Sequence, residues 1–168
     1  GLAAESGEPV VLSCTGATAS RNYLPGLTEA FYRKLPVLAI TASQNINRIG
    51  HLSPQQLDRR SIQNDIAVCS EHLYPCRSVD DEWDCEIKVN RAILSLTHRG
   101  GGPAHLNFTT TYSPDFSVKE LPVARKISRY LTGDVLPEIT PAKRIAIFVG
   151  AHNPMTNSLT AVIDKFCA

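Results

Sequence analysis

The sequence has no long apolar run. Its longest, Leu35 to Ala42 and Ile145 to Ala151, fall far short of the roughly 20 residues that a membrane-spanning helix requires, so no membrane partner is expected. It has no excess of either charge: 17 Lys and Arg face 16 Asp and Glu, for a net charge of +1. Without a block of like charge there is no footprint for a nucleic acid or an anionic lipid surface. No C-x-x-C pair occurs, and the five cysteines, Cys14, Cys69, Cys76, Cys85 and Cys167, are odd in number. Neither a disulfide framework nor a zinc knuckle is therefore written here, and a reducing cytoplasm is the expected compartment. Internal repeats and low-complexity segments are lacking too, as are an initiator Met and a signal peptide.

What is present suits a globular chain. With 168 residues, 43% of them hydrophobic, it can bury the core of one domain and part of a second. Gly1 to Gly7 reads as the last turn of a helix with a glycine stop, so the start is read as a cut and the whole as a segment of a longer protein. Val10 to Cys14 is a β-branched apolar run, followed by the small polar residues Thr15 to Ser20 and then by Leu24, Leu27, Ala30 and Phe31 at helical spacing. Val37 to Thr41 is a second continuous apolar run, of the kind found in strands covered on both faces. Strand, helix, strand predicts a right-handed βαβ unit with a parallel pair. Ser43 to Asp58 is too polar for core and long enough to suggest a functional loop. After it the pattern predicts a helix from about Pro54 or Asp58 to Cys69, a short strand near Leu73 to Val79, a helix from Asp80 to His98 and a strand from Pro103 to Phe108. The last helix opens on Asp80, Asp81 and Glu82, where its dipole favours negative charge, and is expected to bury some subset of Trp83, Ile87, Ile93, Leu94 and Leu96. From Thr109 to Pro141 only Leu121 to Leu131 suggests an element. Ile145 to Gly150 then reads as a strand and Thr156 to Cys167 as a helix capped by Asn153 or Thr156. The expected class is α/β: a three-layer domain with a mainly parallel sheet and helices on both faces, plus the start of a second α/β domain.

The candidate chemistry sits at the turn from the first strand to its helix, Thr15-Gly16-Ala17-Thr18-Ala19-Ser20-Arg21-Asn22. Ligands bind outside the carboxyl ends of strands in open α/β sheets, and small residues let them approach the backbone. The loop is neither G-x-G-x-x-G nor G-x-x-x-x-G-K-[ST], so a phosphate cradle lacks its motif, and no acidic ribose partner or Lys follows for a nucleotide. The five histidines share no i, i+4 spacing with carboxylates, and no metal site is expected among these residues. Only His51, in the polar loop, is placed to touch a substrate; His105 reads as a satisfied strand residue. Cys14 reads as a small core residue, and Arg21, Arg59 and Arg60 as solvated surface arginines.

Cys14 to Phe31 followed by Leu35-Pro36-Val37-Leu38-Ala39-Ile40-Thr41 resembles the pyrimidine-binding domain of thiamine diphosphate (ThDP)-dependent enzymes. There a small-residue loop ending in Asn opens a helix with an acidic-Ala pair, here Glu29-Ala30, and the next strand begins with Pro. Ile49-Gly50-His51-Leu52-Ser53-Pro54-Gln55-Gln56 is similar to the family's Gly-x-x-x-x-Gln loop, and Gly101-Gly102-Pro103-Ala104-His105-Leu106-Asn107-Phe108 to its last strand. The matches are collinear from about Gly1 to Phe108, and are closest in wording to the branch that serves menaquinone biosynthesis, with acetolactate synthase-like enzymes more distant. The resemblance implies a pyrimidine-binding domain over residues 1–110, a linker over 111–142 and the start of a middle α/β domain over 143–168. It implies that Thr15, Gly16, Ala17 and Thr18 lie against the cofactor's aminopyrimidine, that Asn22 fixes the loop, and that Gln55 faces the substrate, with His51 nearby. The family's essential Glu would lie before Gly1, leaving no catalytic residue in this chain. The diphosphate and Mg²⁺ would need another domain, since Thr132-Gly133-Asp134-Val135 lacks that domain's second Gly, and ThDP is not expected to bind this chain tightly. Partners implied are that diphosphate-binding domain, in the same protein or in a second subunit of a homo-oligomer, and a 2-oxo acid substrate. The expected function is decarboxylation of a 2-oxo acid with transfer of the acyl anion equivalent; the alternative is a non-catalytic domain of the same fold that acts in subunit association.

Overall fold

The computed structural model describes residues 1–14, 17–110, 117–138 and 146–167, Ala17 by its backbone alone. Within Gly1–Arg129, one of two compact units, lie helix α1 (Leu2–Ser6), strand β1 (Val10–Ser13), helices α2 (Ala17–Arg21) and α3 (Leu24–Tyr32), and strand β2 (Val37–Gln44). Strand β3 (Cys69–Leu73), helix α4 (Val79–Ser95) and strand β4 (Ala104–Thr110) complete it. The four strands run in the order β1-β2-β4-β3, all parallel. Val10 lies opposite Val37, Thr41 opposite Asn107, and His72 opposite Asn107 from the other side.

Strand alternation sends β2 side chains to both faces, and each face meets a helix. Val37 and Ala39 pack with Leu27 and Ala30 of α3, Ala3 of α1 and Ile66. Leu38, Ala104 and Leu106 pack on the other face with Ala92 of α4 and with Leu96 at its C-terminal cap. The three-layer parallel α/β arrangement expected from the sequence is thus the one observed. α1 ends as its Gly stop predicts, with Gly7 left-handed at φ 72°. Ser78 caps α4, its hydroxyl accepting from the Asp81 N–H at 3.2 Å, while the Asp81 carboxylate accepts from the Arg77 N–H at 2.9 Å. The glycine run after α4 is a matter of space: a Cβ on Gly101 would stand 2.5 Å from the Leu96 carbonyl oxygen, and one on Gly102 2.8 Å from Val68.

Three expectations for this unit need correction. No helix spans Pro54 to Cys69; that stretch is turns and extended chain. Ile62 and Ile66, four apart, still reach the same core cluster, so tertiary burial produced the spacing that reads as helical. β3 comes earlier than Leu73 to Val79, because Pro75 lacks the N–H a ladder needs. Of the apolar residues of which the helix from Asp80 is expected to bury a subset, Leu96 is buried, together with Ala92, whereas Trp83 and Ile93 are 54% and 50% exposed. Leu121 to Leu131 forms neither helix nor strand. Its first part is extended chain along α4, where Asn90 donates to the Arg125 carbonyl and accepts from the Ile127 N–H, and Glu86 pairs with Arg125.

The second unit, Tyr130–Ala168, contains helix α5 (Asn157–Cys167). Thr156 caps it, its hydroxyl accepting from the Leu159 N–H at 3.3 Å. The strand expected over Ile145 to Gly150 does not form over the described residues 146–150; Ile145 itself lies outside them.

Candidate functional site

Parallel strands bring their carboxyl ends to one edge of the sheet, and there a cavity of about 300 Å³ opens beyond β1, β2 and β4. Its walls include Cys14, Gln44, Gln55, Gln56, Arg59 and Thr110. Side-chain amides, a hydroxyl and a guanidinium thus converge on a volume at the low end of the small-molecule range. Of the residues singled out from sequence, Gln55 is in this wall. His51 is exposed on the same loop, its N–H donating to the Arg48 carbonyl at 3.2 Å, and is not in the wall. Thr18 and Asn22 lie at exposed positions in and after α2, with the Asn22 N–H shared between the Thr18 and Ala19 carbonyls at 3.3 and 3.2 Å. Thr15 and Gly16 lie outside the described residues.

The loop from β2 onward carries backbone strain. Asn45, Leu52 and Gln55 have φ of 45°, 55° and 60°, a region that costs an L-residue roughly 1–2 kcal/mol. Strained non-glycine positions concentrate at functional sites, and this loop holds three. Gln55, in the cavity wall, is one of them.

Arg59 corrects the reading of a solvated arginine. It is 6% exposed, whereas its neighbour Arg60 sits outside, forked on Asp58 at 2.7 and 2.9 Å. Burial lowers the Arg59 pKa, Cys14 opposing and Arg21 adding to the shift. Nothing in the pattern around Arg59 distinguishes it from Arg60; the fold selects which arginine turns inward. Tyr23 borders the same region, its phenol pushed up to about 12 by burial and then by its hydrogen bond with Cys14.

Behind these residues a polar chain crosses β2, β4 and β3. Thr41 Oγ1 donates to Asn107 Oδ1 at 2.8 Å and meets His105 Nε2 at 2.9 Å. His105 Nδ1 lies 3.0 Å from Ser70 Oγ. Asn107 Nδ2 reaches His72 Nδ1 at 2.9 Å, and His72 Nε2 reaches Thr109 Oγ1 at 3.0 Å. His105 is brought down to about 4 by burial first, then by Arg59 and His72, so both of its bonds are made as a neutral ring. Burial, Arg60 and Lys88 also lower His72, against Asp58. His105 is the satisfied core residue expected from the sequence.

Among the described residues no cluster of His, Cys, Asp or Glu is arranged to hold a metal ion. No helix among them is long and apolar enough to cross a membrane.

The chain is thus a parallel α/β domain with a polar crevice at the carboxyl edge of its sheet, the place where open α/β sheets receive their ligands. Comparison with known proteins gives that domain its family. The chain is 34% identical over 131 residues to the 2-succinyl-5-enolpyruvyl-6-hydroxy-3-cyclohexene-1-carboxylate synthase of Bacteroides thetaiotaomicron, an alignment covering 77% of this chain. The synthase of the same name from Phocaeicola vulgatus matches equally, and that of Flavobacterium johnsoniae is 27% identical over 99% of the chain. The chain is a homologue of these synthases and belongs with the ThDP-dependent enzymes, as its sequence motifs indicate. It spans about a quarter of the length of the first two relatives, 24%. No family model matches it.

Proposed function

We propose that this chain is the pyrimidine-side domain of a ThDP-dependent enzyme that decarboxylates a 2-oxo acid and transfers the acyl unit to an acceptor. The observation that carries the reading is the crevice: Gln55, held in a strained left-handed conformation, stands with Arg59 and Cys14 in one polar wall beyond the strand ends. The donor set fits the cofactor's pyrimidine end, since amides both donate to and accept from a ring bearing nitrogens and an amino group. In this reading Thr15, Gly16, Ala17 and Thr18 lie along the ring, Asn22 fixes their loop, Gln55 faces the substrate and His51 stands at the entrance. When bound, ThDP supplies the electron sink for the decarboxylation. The protein residues orient the ring and exclude water, while the buried Arg59 guanidinium adds positive potential where a 2-oxo acid brings a carboxylate. Mg²⁺ and the diphosphate belong to another domain of the protein, in a homo-oligomer of the cytoplasm. The relatives' name describes a product bearing a succinyl group; for this protein that suggests a donor whose loss of CO2 leaves a succinyl unit.

The test uses the full-length enzyme. Gln55→Ala is expected to lower kcat/KM for the 2-oxo acid about a hundredfold by loss of positioning, with the far-ultraviolet spectrum unchanged. Full turnover in both Gln55→Ala and Arg59→Ala would displace the reading in favour of a domain serving subunit association.

A further inference from the structure

Cys76 and Cys85 are nine residues apart in sequence and belong to different elements, yet their sulfurs are 3.4 Å apart. Cys76 is exposed, on the segment between β3 and α4; Cys85 is half-buried two turns into α4, and its thiol also reaches toward the Tyr74 carbonyl at 3.8 Å. A disulfide needs about 2.0 Å between sulfurs, and the exposed segment can close that gap while the helix stays in place. We propose that this pair is a redox modification site: an exposed thiol and a resolving thiol that close to a disulfide by exchange with a small-molecule disulfide of the glutathione class.

The exchange balances. Cys76, as thiolate, attacks one sulfur of the oxidant; the oxidant's S–S bond breaks, and one small thiolate leaves and takes up a proton. Cys85 gives its proton to solvent and attacks Cys76 Sγ, expelling the second small thiol. Two protein thiols are oxidised, one disulfide is reduced to two thiols, and two electrons pass to the oxidant. Exposure sets the order, because Cys76 is exposed whereas Cys85 is half-buried. Burial and the neighbouring Cys76 hold the Cys85 thiol up at about 11, and Lys88 opposes them. Once Cys76 is in a mixed disulfide, it no longer bears the charge that opposes ionisation of Cys85, which favours the resolving step. The bridge would pin Tyr74 to Arg77, one wall of a separate cavity of about 450 Å³ whose other side is Asn45 to Asn47 and Thr109.

The experiment equilibrates reduced protein carrying Cys167→Ser with mixtures of reduced and oxidised glutathione, traps free thiols with N-ethylmaleimide, and digests with trypsin. Cleavage after Arg60, Arg77 and Lys88 places Cys76 and Cys85 on the separate peptides Ser61–Arg77 and Ser78–Lys88. Expected are these two peptides joined, lighter by two hydrogens, exceeding the singly glutathionylated form by about tenfold. Cys85→Ser should instead accumulate one glutathione at Cys76. Cys69 shares the first peptide, so fragmentation of the joined product must place the link at Cys76, and Cys69→Ser must retain it. The proposal is overturned if the peptides stay separately alkylated across the whole range, if the parent carries glutathione at Cys76 as fully as Cys85→Ser does, or if the link maps to Cys69.

Discussion

Asn107 is fully buried, 0% exposed, and its amide joins side chains from β2 and β3. Its position fixes proton assignments along the chain. Because the Thr41 hydroxyl proton goes to Asn107 Oδ1, His105 Nε2 must donate to Thr41, and Nδ1 accepts from Ser70. Because Asn107 Nδ2 donates to His72 Nδ1, His72 Nε2 carries the proton toward Thr109. Replacing Asn107 by Leu keeps the volume but leaves His72 Nδ1 and the Thr41 and Ser43 hydroxyls without their partner. It is expected to lower the unfolding free energy by about 2–4 kcal/mol, read from urea midpoints. The chain also predicts a pH dependence. His105 titrates near 4 when folded and near 6.5 when unfolded, so the unfolded chain binds more protons between those values. Stability is fully present above pH 6.5 and falls as pH drops toward 4, by on the order of 3 kcal/mol. His72, shifted in the same direction, adds to the slope. Urea unfolding from pH 7 to 4.5 measures it, and His105→Gln should flatten the profile; an equal slope in parent and variant would show that other groups carry it.

At the scale of the element, the ends of α4 are set by local chemistry of two kinds. Ser78 satisfies the Asp81 N–H, and Ser78→Ala is expected to cost about 1 kcal/mol in thermal unfolding. After the helix, Gly100 and Gly101 both have positive φ, 89° and 65°, but their surroundings differ. A methyl group on Gly100 meets nothing within 4 Å, whereas on Gly101 it meets the Leu96 carbonyl. Gly100→Ala should therefore cost about 1 kcal/mol for its backbone conformation alone, and Gly101→Ala well beyond that, with the chain entering β4 displaced. Equal melting temperatures for the two variants would contradict the close approach at Leu96. Because β4 pairs with both β2 and β3, displacing its entry disturbs the strand that holds Asn107 and His105.

For the molecule as a whole, the question is how much of a cofactor site one domain can supply. The aminopyrimidine offers a few hydrogen bonds and one ring face, while the diphosphate bears most of the charge a protein can grip. ThDP is therefore expected to bind this chain no tighter than the millimolar range, about 4 kcal/mol; micromolar binding by calorimetry would place diphosphate contacts within it. In the proposed reading, the crevice and the loop carrying Leu52, wholly exposed, would border the face covered by the other domain. Exposed faces of this kind associate, most often through a two-fold contact. Light scattering should show a dimer at high concentration that Leu52→Asp weakens and Lys126→Asp does not.

The sequence alone determined the fold class, because the apolar runs Val10 to Cys14 and Val37 to Thr41 are readable only as covered strands, with a helical period between them. It determined the family as well, through ordered short motifs that survive where overall identity is about a third. Turns and caps were legible for the same reason: Gly7 and Thr156 act on neighbours within a few residues. Contacts between distant segments were decided by the tertiary structure. Pairing of β4 with β2 and β3 turned Thr41, His72, His105 and Asn107, up to 66 residues apart, into one hydrogen-bonded chain. The fold packed Ile62 and Ile66 into the cluster of Leu27 and Ala30 and buried Arg59, while Arg60 stayed in solvent. Neither outcome has a local signature, since inward and outward arginines are the same residue until the fold supplies the dielectric that separates them.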